Sequence, residues 1–306
     1  MYELPVLSNT PAPRKRRLPP WLKRPLPGQA EFMATRRIVA DSGVATVCQE
    51  ARCPNINECW AKRHATFMIL GDRCTRRCHF CAVSTAKPEP PAADEPERLA
   101  EAVAALNLAH VVVTAVARDD LKDEGAGHFA ACVRAIRAAA PRTTIEVLPA
   151  DFHARPECIK VLCDAEPDLY NHNCETVARL SPIVRPQAKY RRSLEALQVV
   201  KQIDPEIITK SGLMVGLGET KDELIETFHD LRTAGCDVLT IGQYLAPSQG
   251  DHMPVAKFYS PEEFEEFGDA ARSLGFLSVA SGPFVRSSYN ATEVFEKTKS
   301  ALADRK

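Results

Sequence analysis

Within eight residues the chain places three thiols, Cys74-Thr75-Arg76-Arg77-Cys78-His79-Phe80-Cys81, with gaps of three and then two residues. Thiolates this close can converge on one inorganic centre. A 4Fe-4S cluster held by only three cysteines keeps one iron without a protein ligand, and that open position is what catalysis at a metal requires. Arg73, Arg76 and Arg77 favour a negatively charged thiolate cluster. The competing reading is a structural zinc site with His79 or His64 as fourth ligand. Zinc sites more often draw on two separate Cys-x2-Cys knuckles, and this run has no second pair.

A second set stands upstream, Cys48-x4-Cys53-x5-Cys59. Taken alone its spacing says little, because buried free cysteines are common, but one cluster cannot use six thiols, so the pair of triads implies a second, auxiliary cluster. Cys132, Cys158, Cys163, Cys174 and Cys236 show no ligand spacing and read as small packing residues. Disulfides are not expected in a chain this long with an odd number of cysteines, 11 in all. Gly212-x-Met214-x-Gly216-x-x-Glu219 imitates a dinucleotide fingerprint with the wrong spacing. No Ser-His-Asp or Gly-x-Ser-x-Gly arrangement supports hydrolysis.

These residues need a scaffold, and 306 residues at 45% hydrophobic suffice for one large α/β barrel. Strands are expected at 66–70, 110–114, 144–148, 169–172, 207–214 and 238–243, alternating with amphipathic helices at 95–106, 128–139, 156–165, 191–203 and 221–233. Six such repeats are too few for a closed eight-stranded barrel. The expected fold is therefore α/β, a partial (β/α)6 TIM-like barrel, with a doubly wound sheet as the alternative. Four segments follow: a basic, Pro-rich arm at 1–30, a cysteine-bearing extension at 31–65, the barrel at 66–260, and a C-terminal helix, strand and charged tail at 261–306. The first triad comes directly after the first strand, where parallel α/β folds place their chemistry.

A net charge of −1 gives no global attraction to nucleic acid or anionic membranes. Apolar runs are too short to cross a bilayer, and the N-terminus shows no secretory h-region, so no membrane partner and a cytoplasmic location are expected. The basic run Arg14-Lys15-Arg16-Arg17, with Lys23 and Arg24, reads as a solvated surface arm, with a nuclear-type or nucleic-acid patch as the less common alternative.

Cys-x3-Cys-x-aromatic-Cys, with Phe80 at the aromatic position, resembles the radical S-adenosylmethionine superfamily. The upstream triad, set in Glu50-Ala51-Arg52-Cys53-Pro54-Asn55-Ile56-Asn57-Glu58-Cys59-Trp60, resembles lipoyl synthases nearly letter for letter. That resemblance runs on through Arg118-Asp119-Asp120-Leu121, Asn171-His172-Asn173, Val184-Arg185-Pro186, the stretch from Lys210 to Thr220, and Arg286-Ser287-Ser288-Tyr289. Ala115, Ala117 and Glu124 depart from the family's usual residues.

The resemblance implies two 4Fe-4S clusters and S-adenosylmethionine as cofactors. Cys74, Cys78 and Cys81 would hold the cluster that reduces S-adenosylmethionine to a 5'-deoxyadenosyl radical. Cys48, Cys53, Cys59 and Ser288 would hold the auxiliary cluster, whose sulfide enters C6 and C8 of an octanoyl chain on a carrier lysine. Abstraction of a hydrogen atom suits carbons that offer neither an acidic proton nor a leaving group. Phe80, Asp119, Asn171, Asn173, Arg185, Lys210 and Met214 become candidate contacts to S-adenosylmethionine. For Asp119 the rival reading is a solvated turn, and for Arg185 and Lys210 an ion pair with a barrel carboxylate. Implied partners are octanoylated lipoyl domains of 2-oxoacid dehydrogenases and the glycine cleavage H-protein, a reductant such as ferredoxin or flavodoxin, and an iron-sulfur carrier that rebuilds the consumed cluster. The alternatives are a biotin-synthase-like sulfurtransferase, which would lack the upstream triad and Ser288, and a non-enzymatic iron-sulfur carrier.

Overall fold

In the computed structural model, residues 18–23, 29–248 and 250–303 are described. Arg14 to Arg17 and Arg24 of the basic arm lie outside them. In chain order the elements are α1 (Gln29–Ser42), β1 (Ala45–Thr46), α2 (Val47–Glu50), α3 (Ile56–Ala61), β2 (Thr66–Ile69), β3 (Arg73–Cys74), β4 (Ser84–Thr85), α4 (Glu95–Leu106), β5 (His110–Ala115), α5 (Ala126–Ala139), β6 (Thr144–Leu148) and α6 (Pro156–Cys163). There follow β7 (Leu169–Asn171), α7 (Ser181–Val184), α8 (Tyr190–Ile203), β8 (Ile208–Val215), α9 (Lys221–Thr233), β9 (Val238–Gln243), α10 (Pro261–Ser273), β10 (Ser278–Gly282) and α11 (Ala291–Ala303).

The strands assemble one sheet in the order β1-β2-β5-β6-β7-β8-β9-β10, with every pairing parallel except the antiparallel β1 edge. No pairing joins β10 back to β1 among the described residues, so the barrel is partial. Strands buried on both faces explain the unbroken Val111-Val112-Val113 run. Helices start on recognisable signals. Thr220 and Ser260 form capping boxes with Glu223 and Glu263, and proline opens the first turn of α4, α6 and α10.

Two features depart from the sequence reading. Six parallel barrel strands are expected, with a further strand after the C-terminal helix outside the barrel, whereas that strand, β10, continues the sheet in register with β9, Ser278 against Val238 through Gly282 against Gly242, giving seven. Its mixed Ser-Val-Ala-Ser-Gly composition suits an edge strand that is only half-buried, which is why its apolar signal is weak. The charged tail is also not a tail. It forms α11, whose Val294, Phe295 and Thr298 share one buried face at helical spacing. Val294 and Phe295 pack with Leu169, Ile208 and Val238, the first residues of β7, β8 and β9 or adjacent to them in the barrel, so α11 plugs the N-terminal end of the sheet.

The barrel interior beyond this plug is polar and ionic. Lys210, on β8, is fully buried and donates to both carboxylate oxygens of Glu146 on β6, at 2.9 and 3.0 Å; Asn171 Nδ2 donates to Glu146 Oε1 at 2.7 Å. Burial raises the Glu146 pKa, but Lys210 and His110 outweigh it and hold the carboxyl below its usual range. A buried charge left alone is far costlier than a satisfied pair. Lys210→Met should therefore lower unfolding stability by about 3–5 kcal/mol in a urea titration, and adding Glu146→Leu should restore much of it. Equal stability of Lys210→Met and the parent would show the pair to be energetically idle.

Candidate active site

Loops at the C-terminal ends of the parallel strands build the site, as the topology requires. A cavity of about 340 Å³ opens there. Phe80 and Cys81 reach it from the loop after β2, Asn173 and Glu175 from the loop after β7, Met214 from the end of β8, and Ser287 and Ser288 from the turn after β10. Cys53 and Pro54 line it as well. A second, smaller cavity is lined by Cys48, Cys53, Cys59 and Ser288, together with Asn55, His64 and His110. Cys53, Arg286 and Ser288 belong to both, so one wall separates the two triads' spaces.

The second cavity fills the open side of the barrel, between the starts of β2 and β5 and the segment that follows β10. Docking of that segment depends on close approach. A Cβ at Gly242 would lie 2.0 Å from the Val285 carbonyl oxygen, so no other residue at the end of β9 lets the tail come this near. From the cysteine side, Asn55 Nδ2 donates to the Phe284 carbonyl at 2.7 Å, and Tyr289 Oη donates to Glu58 Oε1 at 3.0 Å. Residues over 200 positions apart in sequence are thereby fixed around Ser288. The tail is a turn, with Tyr289 N–H donating to the Arg286 carbonyl, rather than an extended segment. Ser287 Oγ accepts from Asn173 Nδ2 at 3.3 Å, while Ser288 lines the second cavity.

Donor chemistry tests what these spaces fit. A tetrahedral zinc ion with Zn–S bonds of about 2.3 Å needs sulfurs roughly 3.8 Å apart. Among the described residues only Asp119, Glu124 and His153 bring three such ligand atoms within 4.8 Å of one another, and neither cysteine triad does. Sulfurs spread more widely suit a cluster of several irons. Cys74 Sγ accepts backbone N–H groups of Arg76 and Ala117 at 3.4 Å each, which fixes its place between the cysteine loop and the end of β5. Burial pushes the Cys48 and Cys81 thiols up to about 11 and Cys78 up to about 12. Iron must then displace protons as it binds. His79, offered by the zinc reading, turns its Nδ1 to the Ile183 carbonyl instead. The other five cysteines are buried and packed.

Asp119, Glu124 and His153 form no vacant cation site either. Arg76 Nη2 stands 2.6 Å from Asp119 and Arg155 Nη2 3.0 Å from Glu124, so the positive charge is already supplied. Arg76, buried in the middle of the first cysteine loop, also meets Asp151 at 2.8 Å, and Asp151 in turn binds Arg192. This network anchors the loop to the barrel.

The candidate contacts to S-adenosylmethionine divide in consequence. Phe80, Asn173 and Met214 line the larger cavity. Asp119 is forked by Arg76, Asn171 and Lys210 are committed to Glu146, and Arg185 is buried against the Asn173 carbonyl and Ser193, so these four do not line it. His172 is a buried, satisfied histidine between Pro149 O and Ser193, held neutral by burial that lowers its pKa to about 4. Glu175 was not singled out by sequence reasoning. It lines the cavity, and burial raises its pKa against the pull of Arg185. The unpartnered, buried Asn173 Oδ1 beside it is an acceptor without a donor. A half-buried carboxylate and a free acceptor fit a ligand carrying a sulfonium and an ammonium. The one signal in sequence was position, since Glu175 follows an expected strand end.

Residues 68–231 match the Radical SAM superfamily model. Lipoyl synthases of Geobacillus kaustophilus (strain HTA426) and Geobacillus sp. (strain WCH70) are each 55% identical over 278 residues, covering 90% of this chain and 93% of theirs. Among solved structures the chain is similar to methylornithine synthase (PylB), with a TM-score of 0.53, 12% identity and 81% and 76% of the two chains covered. It is also similar to HydG, a maturase of the [FeFe]-hydrogenase, with a TM-score of 0.52, 13% identity and 89% and 71% covered. At such identities these structures speak to the fold alone.

Proposed function

The chain belongs to the lipoyl synthases, within the radical S-adenosylmethionine superfamily, and from that premise we propose which of its residues carry each part of the reaction. The activity is a sulfurtransferase's, with an octanoylated carrier protein as substrate and a reductant as electron source. Identity of 55% over nine-tenths of the chain removes the biotin-synthase-like and non-enzymatic alternatives. When bound, two 4Fe-4S clusters and S-adenosylmethionine supply the electron, the radical and the sulfur.

Cys74, Cys78 and Cys81 hold the first cluster in this proposal, and Arg76 with its carboxylates fixes their loop. Phe80, Met214 and Gly212 give S-adenosylmethionine a mostly apolar wall, against which Asn173 and Glu175 orient its polar end. Cys48, Cys53, Cys59 and Ser288 hold the auxiliary cluster. The observation that carries the assignment is the shared wall: Cys53 and Ser288 line both cavities, so an acyl chain in the larger one ends beside the sulfur source. Proximity of this kind substitutes for chemical activation of the carbon. Water is kept from the radical by Val47, Leu245 and Pro247 at the cavity edge.

The finer partners belong to the same reading: lipoyl domains of 2-oxoacid dehydrogenases or the glycine cleavage H-protein as carriers, ferredoxin or flavodoxin as reductant, and an iron-sulfur carrier that rebuilds the spent cluster. A cytoplasmic location is part of it too. Among the described residues no helix is long and apolar enough to cross a membrane.

The test is anaerobic turnover of an octanoyl-lysine peptide with S-adenosylmethionine and dithionite, read by mass spectrometry. The expected product gains two sulfurs in place of two hydrogens. A product with one sulfur bridging the two carbons would point to a different sulfurtransferase.

A further inference from the structure

Cations are distributed unevenly around the first cysteine loop. From Arg73 through Pro88 the chain has Arg73, Arg76, Arg77 and Lys87 and no acid, and from Thr176 through Glu195 the first carboxylate is Glu195 itself, after Arg179, Arg185, Lys189, Arg191 and Arg192. The protein as a whole is balanced, at −1. Folding brings these two acid-free segments together: Arg77 N–H donates to Gln187 Oε1 at 2.7 Å, His79 N–H donates to the Val184 carbonyl at 2.8 Å, and His79 Nδ1 lies 2.7 Å from the Ile183 carbonyl.

Some of these charges are spent internally. Arg76 and Arg192 share Asp151, Arg179 pairs with Glu223, and Arg185 is buried. Arg73 meets Glu89 at 3.1 Å, and what remains outside is Arg77, Lys87, Lys189 and Arg191, all exposed and with no carboxylate partner among the described residues; of these, Arg77, Lys189 and Arg191 belong to the joined stretch that also carries Ile183, which is 53% exposed. An exposed aliphatic residue on a stretch that carries unpaired cations has the anatomy of a protein interface whose partner is acidic. None of these residues lines either cavity, so the face is not the mouth through which an acyl chain enters.

We propose that this face, centred on Ile183 with Arg77, Lys189 and Arg191, docks the acidic one-electron protein carrier that reduces the cluster on Cys74, Cys78 and Cys81. The inference rests on the assignment of those three cysteines. Its physical basis is distance, because electron transfer falls off steeply with separation and the face sits on the backbone of the cluster loop itself, through His79 and Arg77. One electron passes from carrier to cluster; the carrier is oxidised by one, the cluster reduced by one, and no bond is made or broken. Charge complementarity then sets the encounter rate.

The experiment uses the reconstituted protein with a strongly acidic flavodoxin. Binding is followed by calorimetry, and cluster reduction by stopped-flow absorbance. Lys189→Glu/Arg191→Glu and, separately, Ile183→Asp should weaken flavodoxin binding and slow reduction by about tenfold or more at low salt. Reduction by photoreduced deazaflavin, small and neutral, should stay within about twofold of the parent, which also controls for folding. Unchanged flavodoxin binding and reduction in both variants would overturn the docking face. So would weakened binding of an octanoylated lipoyl domain with flavodoxin unaffected, since the face would then belong to the substrate carrier. If deazaflavin fails to reduce any cluster held by the parent's Cys74 triad, the cysteine assignment fails instead.

Discussion

Reconstituted without oxygen, the chain should bind two 4Fe-4S clusters, and replacing Cys74, Cys78 and Cys81 together with alanine should leave one cluster and no cleavage of S-adenosylmethionine. Replacing Cys48, Cys53 and Cys59 should do the reverse, leaving one cluster, retaining cleavage and losing sulfur insertion. The two triads can be separated because the fold separates them. Cys74, Cys78 and Cys81 sit in a loop held by β3, β4 and the Arg76 network, whereas Cys48, Cys53 and Cys59 belong to α2, α3 and the turn between them, packed against the β10 tail. Neither scaffold depends on the other's thiols. Iron and sulfide analysis with electron paramagnetic resonance reads the clusters, and 5'-deoxyadenosine reads cleavage. Loss of both clusters from either triple variant would show that the two centres assemble as one unit. Zinc in place of iron would overturn the metal assignment altogether.

How much of this was legible follows from the range of each signal. The cysteine triads are local, so spacing alone put them on the page, and the Val-rich strands and capped helices are local as well. A strand after the C-terminal helix was legible too, but an edge strand of Ser, Ala and Gly carries little apolar signal to place it in the barrel, and its membership in the sheet is decided by pairing with β9. α11 was hidden by its charges; what makes it a helix is the barrel end that Val294 and Phe295 cover. Lys210 shows the same limit at the site. The sequence left Lys210 between a ligand contact and an ion pair with a barrel carboxylate; that the pair forms, and with Glu146 two strands away, is a tertiary fact. Glu175 was passed over for the complementary reason, since nothing near it in sequence tells that it lines a cavity wall.

Ser288→Ala should leave S-adenosylmethionine cleavage intact and cut lipoyl formation by about 100-fold or more, the upper range of what loss of one supporting group costs a metal site. The reason lies in the second cavity, where three cysteines and Ser288 converge and no fourth cysteine lines the wall. An oxygen donor is hard beside soft thiolates, so it binds iron weakly enough to leave when sulfur is drawn to carbon. Ser288→Cys should consequently give a more stable cluster that releases sulfur poorly. Its neighbour provides the control. Ser287 Oγ is engaged with Asn173 on the wall of the larger cavity, so Ser287→Ala should retain the auxiliary cluster's resonance signature and raise the Michaelis constant for S-adenosylmethionine by a few-fold at most, about the effect of one lost neutral hydrogen bond. Because 286–289 is a turn pinned at Phe284 by Asn55 and at Tyr289 by Glu58, the two serines cannot exchange roles without breaking one of those contacts. Normal lipoyl yield from Ser288→Ala, with its auxiliary cluster unaltered, would mean that water or another residue of the cavity, His64 or His110 among them, completes the fourth iron's coordination.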